Sequence, residues 1–214
     1  MDEEITIIDN KTRNEKIVNF FINNKKLIIS IISAVLIIIV SFYSFQIYKD
    51  NQRQQMSDKY NSAIIDFENT EKSKTLNLLK EIVESKDATY SPLALYFLID
   101  NDLTNDKEEI NNLFDILIKN TSLEKEIKNL IIYKKALFNA DTIDESGILK
   151  ILNPIINSDS VWKSHSLYLL AEYFYSNGEK NKSKEFFSQI LNIENANLDI
   201  VKEAQKRLNR DLSE

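Results

Sequence analysis

The side chains that usually carry enzymatic chemistry are scarce in this chain. Its 214 residues include one histidine, His165, two glycines, Gly147 and Gly178, and no cysteine. One imidazole cannot form a histidine metal cluster or a two-histidine proton relay, and a thiol nucleophile is excluded. Two glycines so far apart cannot form a phosphate-binding loop. We therefore expect no catalytic residues, no metal site, no cofactor and no small-molecule substrate, and we expect that the protein is not an enzyme.

Clustered carboxylates are the remaining candidates for chemistry. The acidic stretch at 100–108 superficially resembles a calcium loop. An EF-hand loop that starts at Asp100 would have Asn105 at its sixth position and Asn111 at its twelfth, where glycine and glutamate are required. An acidic turn is the preferred interpretation. An enzyme with an unrecognised carboxylate pair stays an alternative, although nothing in the sequence selects such a pair.

One polar and aromatic stripe suggests binding. It consists of His165, Tyr168, Glu172 and Tyr175, spaced i, i+3, i+7 and i+10 on one face of a predicted helix. In helical-repeat stacks such a face lines the concave surface. Two tyrosines around an acid could hold a peptide segment of a partner protein by packing and hydrogen bonding. The alternative is that these tyrosines only cap the neighbouring helix hairpin.

The longest apolar segment of the chain predicts a membrane span. Residues 27–48 carry no charge, and they lie between Lys25 and Lys26 on one side and Lys49 and Asp50 on the other. A helix of this length rises about 33 Å, which matches a hydrocarbon core of roughly 30 Å. A cleaved signal peptide would have a shorter apolar region and a small-residue cleavage site. A buried helix of a soluble core rarely runs this long without a charge.

The charges that flank the span predict its orientation. Residues 1–26 contain five basic side chains, and the first fifteen residues after the span contain three. The positive-inside rule therefore places the N-terminus in the cytoplasm and the large domain on the far side of the membrane. The alternative is a reversed span with a cytoplasmic domain.

Small residues follow one face of the span. Ser30, Ala34, Ser41 and Ser44 fall at i, i+4, i+11 and i+14, a spacing that keeps them on one side of a helix. Such a face allows another membrane helix to approach closely, so we predict a docking face there. The alternative is that the serines bond back to their own backbone carbonyls.

Composition divides the chain into a tail at 1–26, a span at 27–48 and a helical domain at 49–214. The tail has as many acidic as basic residues, so the net charge of −6 belongs to the large domain. An acidic domain is a poor binder of nucleic acid, and no nucleic-acid partner is expected. Two glycines and two prolines are too few for the turns of a strand-rich fold.

Helix signals continue from the span to the C-terminus. An amphipathic pattern lengthens the span helix through Met56, Tyr60, Ala63, Ile64 and Phe67. Helix N-termini are predicted at Thr70, Ser91, Asp106 and Thr121 from their capping patterns. The helix after Thr121 is predicted to contain the apolar residues Ile127, Leu130, Ile131 and Leu137. Further helices are predicted at 144–157, 160–177, 179–193 and 197–211, with a stop at Asn177-Gly178.

The last predicted hairpin contains a repeat-like pattern. Leu167, Leu170, Ala171, Phe174, Gly178, Ser183 and Phe187 follow the order L-x2-L-A-x2-F-x3-G-x4-S-x3-F. This resembles the tetratricopeptide repeat, with small residues where two helices cross and aromatic residues beside them. We therefore predict an all-α fold, a single transmembrane helix followed by a tetratricopeptide-like stack of antiparallel hairpins. A generic hairpin stack is the alternative.

With this hairpin, the span and the closing helix near Leu208, the chain resembles the YfgM-like ancillary subunits of the Sec translocon. The resemblance covers nearly the whole chain, and it rests on hydrophobic spacing. It implies a single-pass protein of the bacterial inner membrane with a periplasmic helical domain. The implied partners are translocon subunits, periplasmic chaperones and unfolded client segments. The alternative function is a cytoplasm-facing adaptor for division, secretion or signalling complexes.

Overall fold

The computed structural model describes residues 18–69 and 72–212. Within these ranges the chain forms helices and no strand, which confirms the all-α prediction. After a short helical stretch at 18–23, the elements are α1 (Lys25–Glu68), α2 (Lys72–Glu84), α3 (Tyr90–Asp100), α4 (Lys107–Asn120), α5 (Lys125–Asn139), α6 (Glu145–Ile156), α7 (Lys163–Ser176), α8 (Lys180–Leu191) and α9 (Leu198–Asp211).

The chain divides into two compact units between Gln55 and Met56. α1 begins in the first unit and ends in the second. It is long and apolar enough to cross a membrane, and no residue in its most apolar stretch is buried. Soluble proteins rarely expose an apolar surface of this extent. This helix is the one predicted as a span from the sequence.

The second unit is a stack of antiparallel helices held by three apolar clusters. The first cluster joins residue 63 of α1 with α2 to α5, the second joins α5, α6 and α7, and the third joins α7, α8 and α9. From α2 onward, successive helices pack on one another, and contacts also join α2 to α4, α5 to α7, and α7 to α9. α3 and α5 lie on either side of a gap in the stack, which opens to the surface.

The stack begins with the last turns of α1. Ala63 is fully buried, and its carbonyl oxygen accepts a hydrogen bond from the Thr75 hydroxyl of α2 at 3.3 Å. The rings of Phe67 and Phe97 meet edge to face, with centroids 5.2 Å apart. The amphipathic pattern that follows the span in the sequence therefore forms part of this apolar core.

Several predicted helix ends are confirmed. The Asp106 carboxylate accepts a hydrogen bond from the Glu109 amide at 3.0 Å, and caps α4. The helix predicted to stop at Asn177-Gly178 ends there, because Gly178 adopts a φ of 80°. The Gly178 amide donates a hydrogen bond to the Tyr175 carbonyl, and the Glu179 amide donates one to the Phe174 carbonyl. Together these two bonds form a Schellman motif.

Two predicted caps are wrong. The Asp87 carboxylate accepts hydrogen bonds from the first amides of α3, while the buried Ser91 hydroxyl donates to the Ile82 carbonyl of α2 at 2.6 Å. Thr121 follows the end of α4, and its hydroxyl donates to the Ile116 carbonyl of that helix. Both hydroxyls thus satisfy carbonyls of a preceding helix. The predicted cap at Thr70 lies outside the described residues.

The apolar residues of α5 lie on two faces of the helix. The buried ones are Ile131, Ile132 and Ala136. Ile127 and Leu137 are 41 % and 52 % exposed. They lie on the side of α5 that borders the gap next to α3, where no helix covers them.

Candidate functional site

A groove of about 460 Å³ occupies the gap between α3 and α5. It is formed by the first half of α3, by the first half of α5 and by the residues just before each helix. Most of its lining side chains are apolar, and the lining residues are Ala88, Thr89, Pro92, Leu93, Tyr96, Ser122, Leu123, Glu124, Ile127 and Leu130. An open, apolar concavity with few polar groups is typical of a binding site.

Exposed apolar side chains stand on both sides of the groove. Leu93 of α3 and Ile127 of α5 are each 41 % exposed. On α5, Ile127, Leu130, Lys134 and Leu137 follow the spacing i, i+3, i+7 and i+10, which places them along one face. Sequence reasoning missed this surface because these residues continue the apolar pattern of the helix. The available signal was that apolar residues of α5 occupy more than one face.

Tyr96 lines both this groove and a second cavity. The second cavity has a volume of about 190 Å³, and it is lined by Tyr96, Ile99, Asp100, Phe114, Lys134, Leu137 and Phe138. The Lys134 ammonium lies 4.3 Å from the centroid of the Tyr96 ring, an arrangement in which the ring face attracts the cation. Burial raises the pKa of Tyr96 to about 12, so its hydroxyl stays neutral at physiological pH.

The predicted stripe on α7 separates into two environments. His165 lies in an aromatic cluster between α5 and α7. The centroid of its ring is 5.1 Å from that of Trp162 and 6.1 Å from that of Tyr133. Trp162 also packs against the second apolar cluster. Burial lowers the pKa of His165, which favours the neutral imidazole.

The other three residues of the stripe face the end of the stack. Arg207 of α9 donates two hydrogen bonds to the Glu172 carboxylate, at 2.7 and 2.8 Å. The same guanidinium lies 4.3 Å from the centroid of the Tyr175 ring. Tyr168 packs edge to face on Phe187 of α8, with ring centroids 5.3 Å apart. Burial and the nearby Glu172 carboxylate raise the pKa of Tyr168 to about 12.

These contacts favour the alternative in which the stripe caps the neighbouring hairpin. Glu172 and Tyr175 hold α9 through Arg207, and Tyr168 fills space against α8. A partner-binding role for the stripe stays a prediction. The exposed apolar surface between α3 and α5 is the better candidate for partner binding.

The predicted docking face of the span is exposed throughout. Ser30, Ala34, Ser41 and Ser44 all belong to α1, and each is accessible on the helix surface. No described residue buries this face, so another membrane helix would have room to approach. Docking by this face stays a prediction.

Two acidic side chains of the domain cap helices. Asp106 caps α4, and Asp144 caps α6 by accepting a hydrogen bond from the Gly147 amide at 2.8 Å. Negative charge at a helix N-terminus is favourable. Within residues 18–69 and 72–212, no group of three or more histidine, cysteine and acidic side chains is arranged to hold a metal ion.

Comparison with protein families, with characterised proteins and with solved structures finds no match to the chain. Its function therefore has to be argued from its own residues.

Proposed function

We propose that this protein is a membrane-anchored protein-interaction module. The observation that carries the proposal is the exposed apolar groove on the helical stack. The same chain also contains a helix that is long and apolar enough to span a membrane. Removal of groove side chains such as Leu93 and Ile127 from water would make the free energy of partner binding more favourable. Binding and positioning of other polypeptides, without turnover, is the activity that such a surface supports.

The preferred location is the bacterial inner membrane, with the N-terminus in the cytoplasm and the helical domain in the periplasm. The five basic residues before the span, against three just after it, support this orientation. In this location the protein would assist newly translocated chains or recruit chaperones to the translocon. The proposed partners are accordingly translocon subunits, periplasmic chaperones and unfolded client segments.

We also propose that the helical stack is tetratricopeptide-like. Ala171 of α7 and Ser183 of α8 are both fully buried, as expected for small residues where two helices cross. Phe174 and Phe187 are buried beside them. These positions support a tetratricopeptide-like stack and, with the span, membership of the YfgM-like ancillary subunits of the Sec translocon.

The second candidate function is a cytoplasm-facing adaptor of the same fold. It would gather soluble partners at the membrane for division, secretion or signalling. The acidic helical domain fits either compartment, and membrane topology separates the two functions.

Membrane topology can be measured by single-cysteine labelling because the chain has no cysteine of its own. We expect Asn195→Cys, in the exposed loop between α8 and α9, to react with a membrane-impermeant maleimide in intact spheroplasts. The matched variant Asn10→Cys, on the other side of the span, should react only after lysis. The opposite pattern would contradict the periplasmic location and favour the cytoplasmic adaptor.

Lateral docking of the span can be tested by photocrosslinking in native membranes. A photoreactive residue at Ser41 should crosslink to a subunit of the translocon, because small residues allow close helix approach. The control is the same residue at Ile39, which points away from that face of the helix and should crosslink mainly to lipid. Equal protein crosslinking at both positions, or none to the translocon at Ser41, would contradict the docking face.

A further inference from the structure

An exposed apolar turn of helix precedes the lysines that flank the span. The stretch at 18–23 is helical. Its large apolar side chains are all more than half exposed, and they are Val18, Phe20, Phe21 and Ile22. Helical hydrogen bonds continue from this stretch into α1, because the Asn24 amide donates to the Phe20 carbonyl at 3.0 Å and the Asn24 carbonyl accepts from the Ile28 amide at 2.9 Å. The apolar turn therefore belongs to the same run of helix as the span.

The polar groups of this turn are confined to a narrow stripe. Asn19, Asn23 and Lys26 follow the spacing i, i+4 and i+7, which places them on one face of the helix. Another face carries apolar residues at i, i+3 and i+4, which are Val18, Phe21 and Ile22. The side-chain amide of Asn24 donates to the Phe20 carbonyl at 2.9 Å, so part of its hydrogen-bonding capacity is met within the helix. A helix with one apolar face and one polar stripe is typical of a membrane interface.

The two lysines define the depth of this turn in a membrane. Lysine is unfavourable inside the hydrocarbon core, so the core begins after Lys25 and Lys26, at Leu27. With a rise of 1.5 Å per residue, Ile22 and Phe21 lie about 7.5 and 9 Å before Leu27 along the helix. The headgroup layer on each side of the core is roughly 5–8 Å deep, and tilt of a span reduces the distance of a residue from the core. The two apolar side chains therefore lie at the level of the lipid headgroups.

The same lysines give this region a positive charge. No acidic residue lies between Glu15 and Asp50, so no nearby carboxylate in the sequence neutralises it. Long side chains of a helix lean toward its N-terminus, so the ammonium groups of Lys25 and Lys26 extend toward the apolar turn. A surface of anionic lipid attracts lysines at this position. Positive charge beside exposed apolar side chains matches an anionic phospholipid, which has a negative headgroup joined to apolar acyl chains.

We propose that residues 18–26 bind anionic phospholipid at the membrane interface on the N-terminal side of the span. Lys25 and Lys26 bind phosphate groups of the headgroups, and Phe21 and Ile22 insert beside the acyl chains. This site selects the lipids that surround that end of the span. The inference rests on the membrane anchorage in the proposed function, and it names lipid, not a second polypeptide, as the occupant of the apolar face.

The depth of the turn can be measured on the full chain in nanodiscs of phosphatidylcholine and phosphatidylglycerol. Single cysteines labelled with a fluorescent dye can be placed freely, since the chain has no cysteine of its own. The dye at Ile22→Cys should be quenched by a nitroxide on the upper part of an acyl chain. It should be about fivefold less sensitive to aqueous acrylamide than the dye at Asn195→Cys in the helical domain. Asn19→Cys, on the polar stripe, is the matched control and should be more accessible to acrylamide than Ile22→Cys.

A second measurement tests the charge of the lipid. Nitroxide-labelled phosphatidylglycerol, as a small fraction of phosphatidylcholine nanodiscs, should quench the dye at Ile22→Cys more strongly than nitroxide-labelled phosphatidylcholine at the same fraction. Replacing Lys25 and Lys26 together with glutamine should lower this preference about tenfold, because each lysine near an anionic surface contributes roughly a factor of five. Lys49→Gln, at the other end of the span, is the matched control and should leave the preference unchanged.

The outcomes separate this inference from the proposed function. Acrylamide quenching at Ile22→Cys as strong as at Asn195→Cys, or equal quenching by the two nitroxide lipids, would overturn the inference. Protection from both acrylamide and the nitroxide lipids would mean that a second copy of the chain covers the turn, and would also overturn it. The dye at Val40→Cys, within the span, tests anchorage separately. Protection of that position from acrylamide would leave the membrane anchor standing, whereas free access would contradict the proposed function itself.

Discussion

Replacing Phe187 with alanine is expected to lower the free energy of unfolding of the helical stack by about 3–5 kcal/mol. Phe187 is fully buried in the third apolar cluster, between α7, α8 and α9, and its ring meets Tyr168. Removing it leaves a cavity that the fully buried Ala171 beside it is too small to fill. Domains of this size have total stabilities of about 5–15 kcal/mol, so the loss is a large fraction of the whole.

The measurement is urea unfolding of the full chain in detergent, followed by fluorescence of Trp162, the single tryptophan. Ser183→Ala is the matched control on the same helix. The Ser183 hydroxyl is buried without a hydrogen-bond partner among the described residues, so its removal should leave stability unchanged or slightly raised. Phe187→Leu should lie between the two. A cost below about 1 kcal/mol for Phe187→Ala would show that this cluster does not hold the stack together.

Replacing Arg207 with methionine is expected to cost about 2 kcal/mol, the second-largest effect among these predictions. The Arg207 side chain is 13 % exposed and it bonds the carboxylates of Glu172 and Asp211. Without the guanidinium, the two acids would be left without their shared partner. The cost is below the 3–5 kcal/mol of a fully buried pair because Glu172 keeps 35 % of its side chain in solvent.

The pH dependence of this loss has a defined direction. Arg210 and then Arg207 hold the pKa of Asp211 below its ordinary value. Stability from a lowered carboxyl pKa is present above the unfolded value, about 3.9, and it is lost as the pH falls through the folded value. The difference between the wild type and Arg207→Met should therefore be constant near neutral pH and should shrink in acid.

Arg210→Met is the matched control for the arginine variant. Arg210 also bonds Asp211, but its side chain is largely exposed. Exposed pairs contribute little to stability, so near neutral pH this variant should lose much less stability than Arg207→Met. Equal losses for both variants would mean that burial of Arg207 between α7 and α9 has no special role.

The outcome for Arg207 also decides how the α7 stripe should be interpreted. If its loss frees α9 while the rest of the stack stays folded, Glu172 and Tyr175 serve to hold the terminal helix. The α3/α5 groove would then be the principal surface left for a partner.

The sequence alone determined the local structure of this protein. Few glycines and prolines, helical spacing of apolar residues and a charge-free segment at 27–48 predicted an all-α chain with a span. Caps such as Asp106 and Gly178 were also readable, because a helix end depends on a few neighbouring residues. Ser91 and Thr121 were misjudged as caps because their hydroxyls bond carbonyls of a preceding helix.

Only the tertiary structure decided which apolar and polar side chains remain exposed and free to contact a partner. Ile127 and Ile131 have the same residue type and lie on the same helix, yet one borders an open groove and the other is fully buried. Glu172 meets Arg207, 35 residues away, and so becomes part of the fold. Exposure depends on the spacing between helices distant in sequence, and that spacing results from the packing of the whole stack, which no local pattern records.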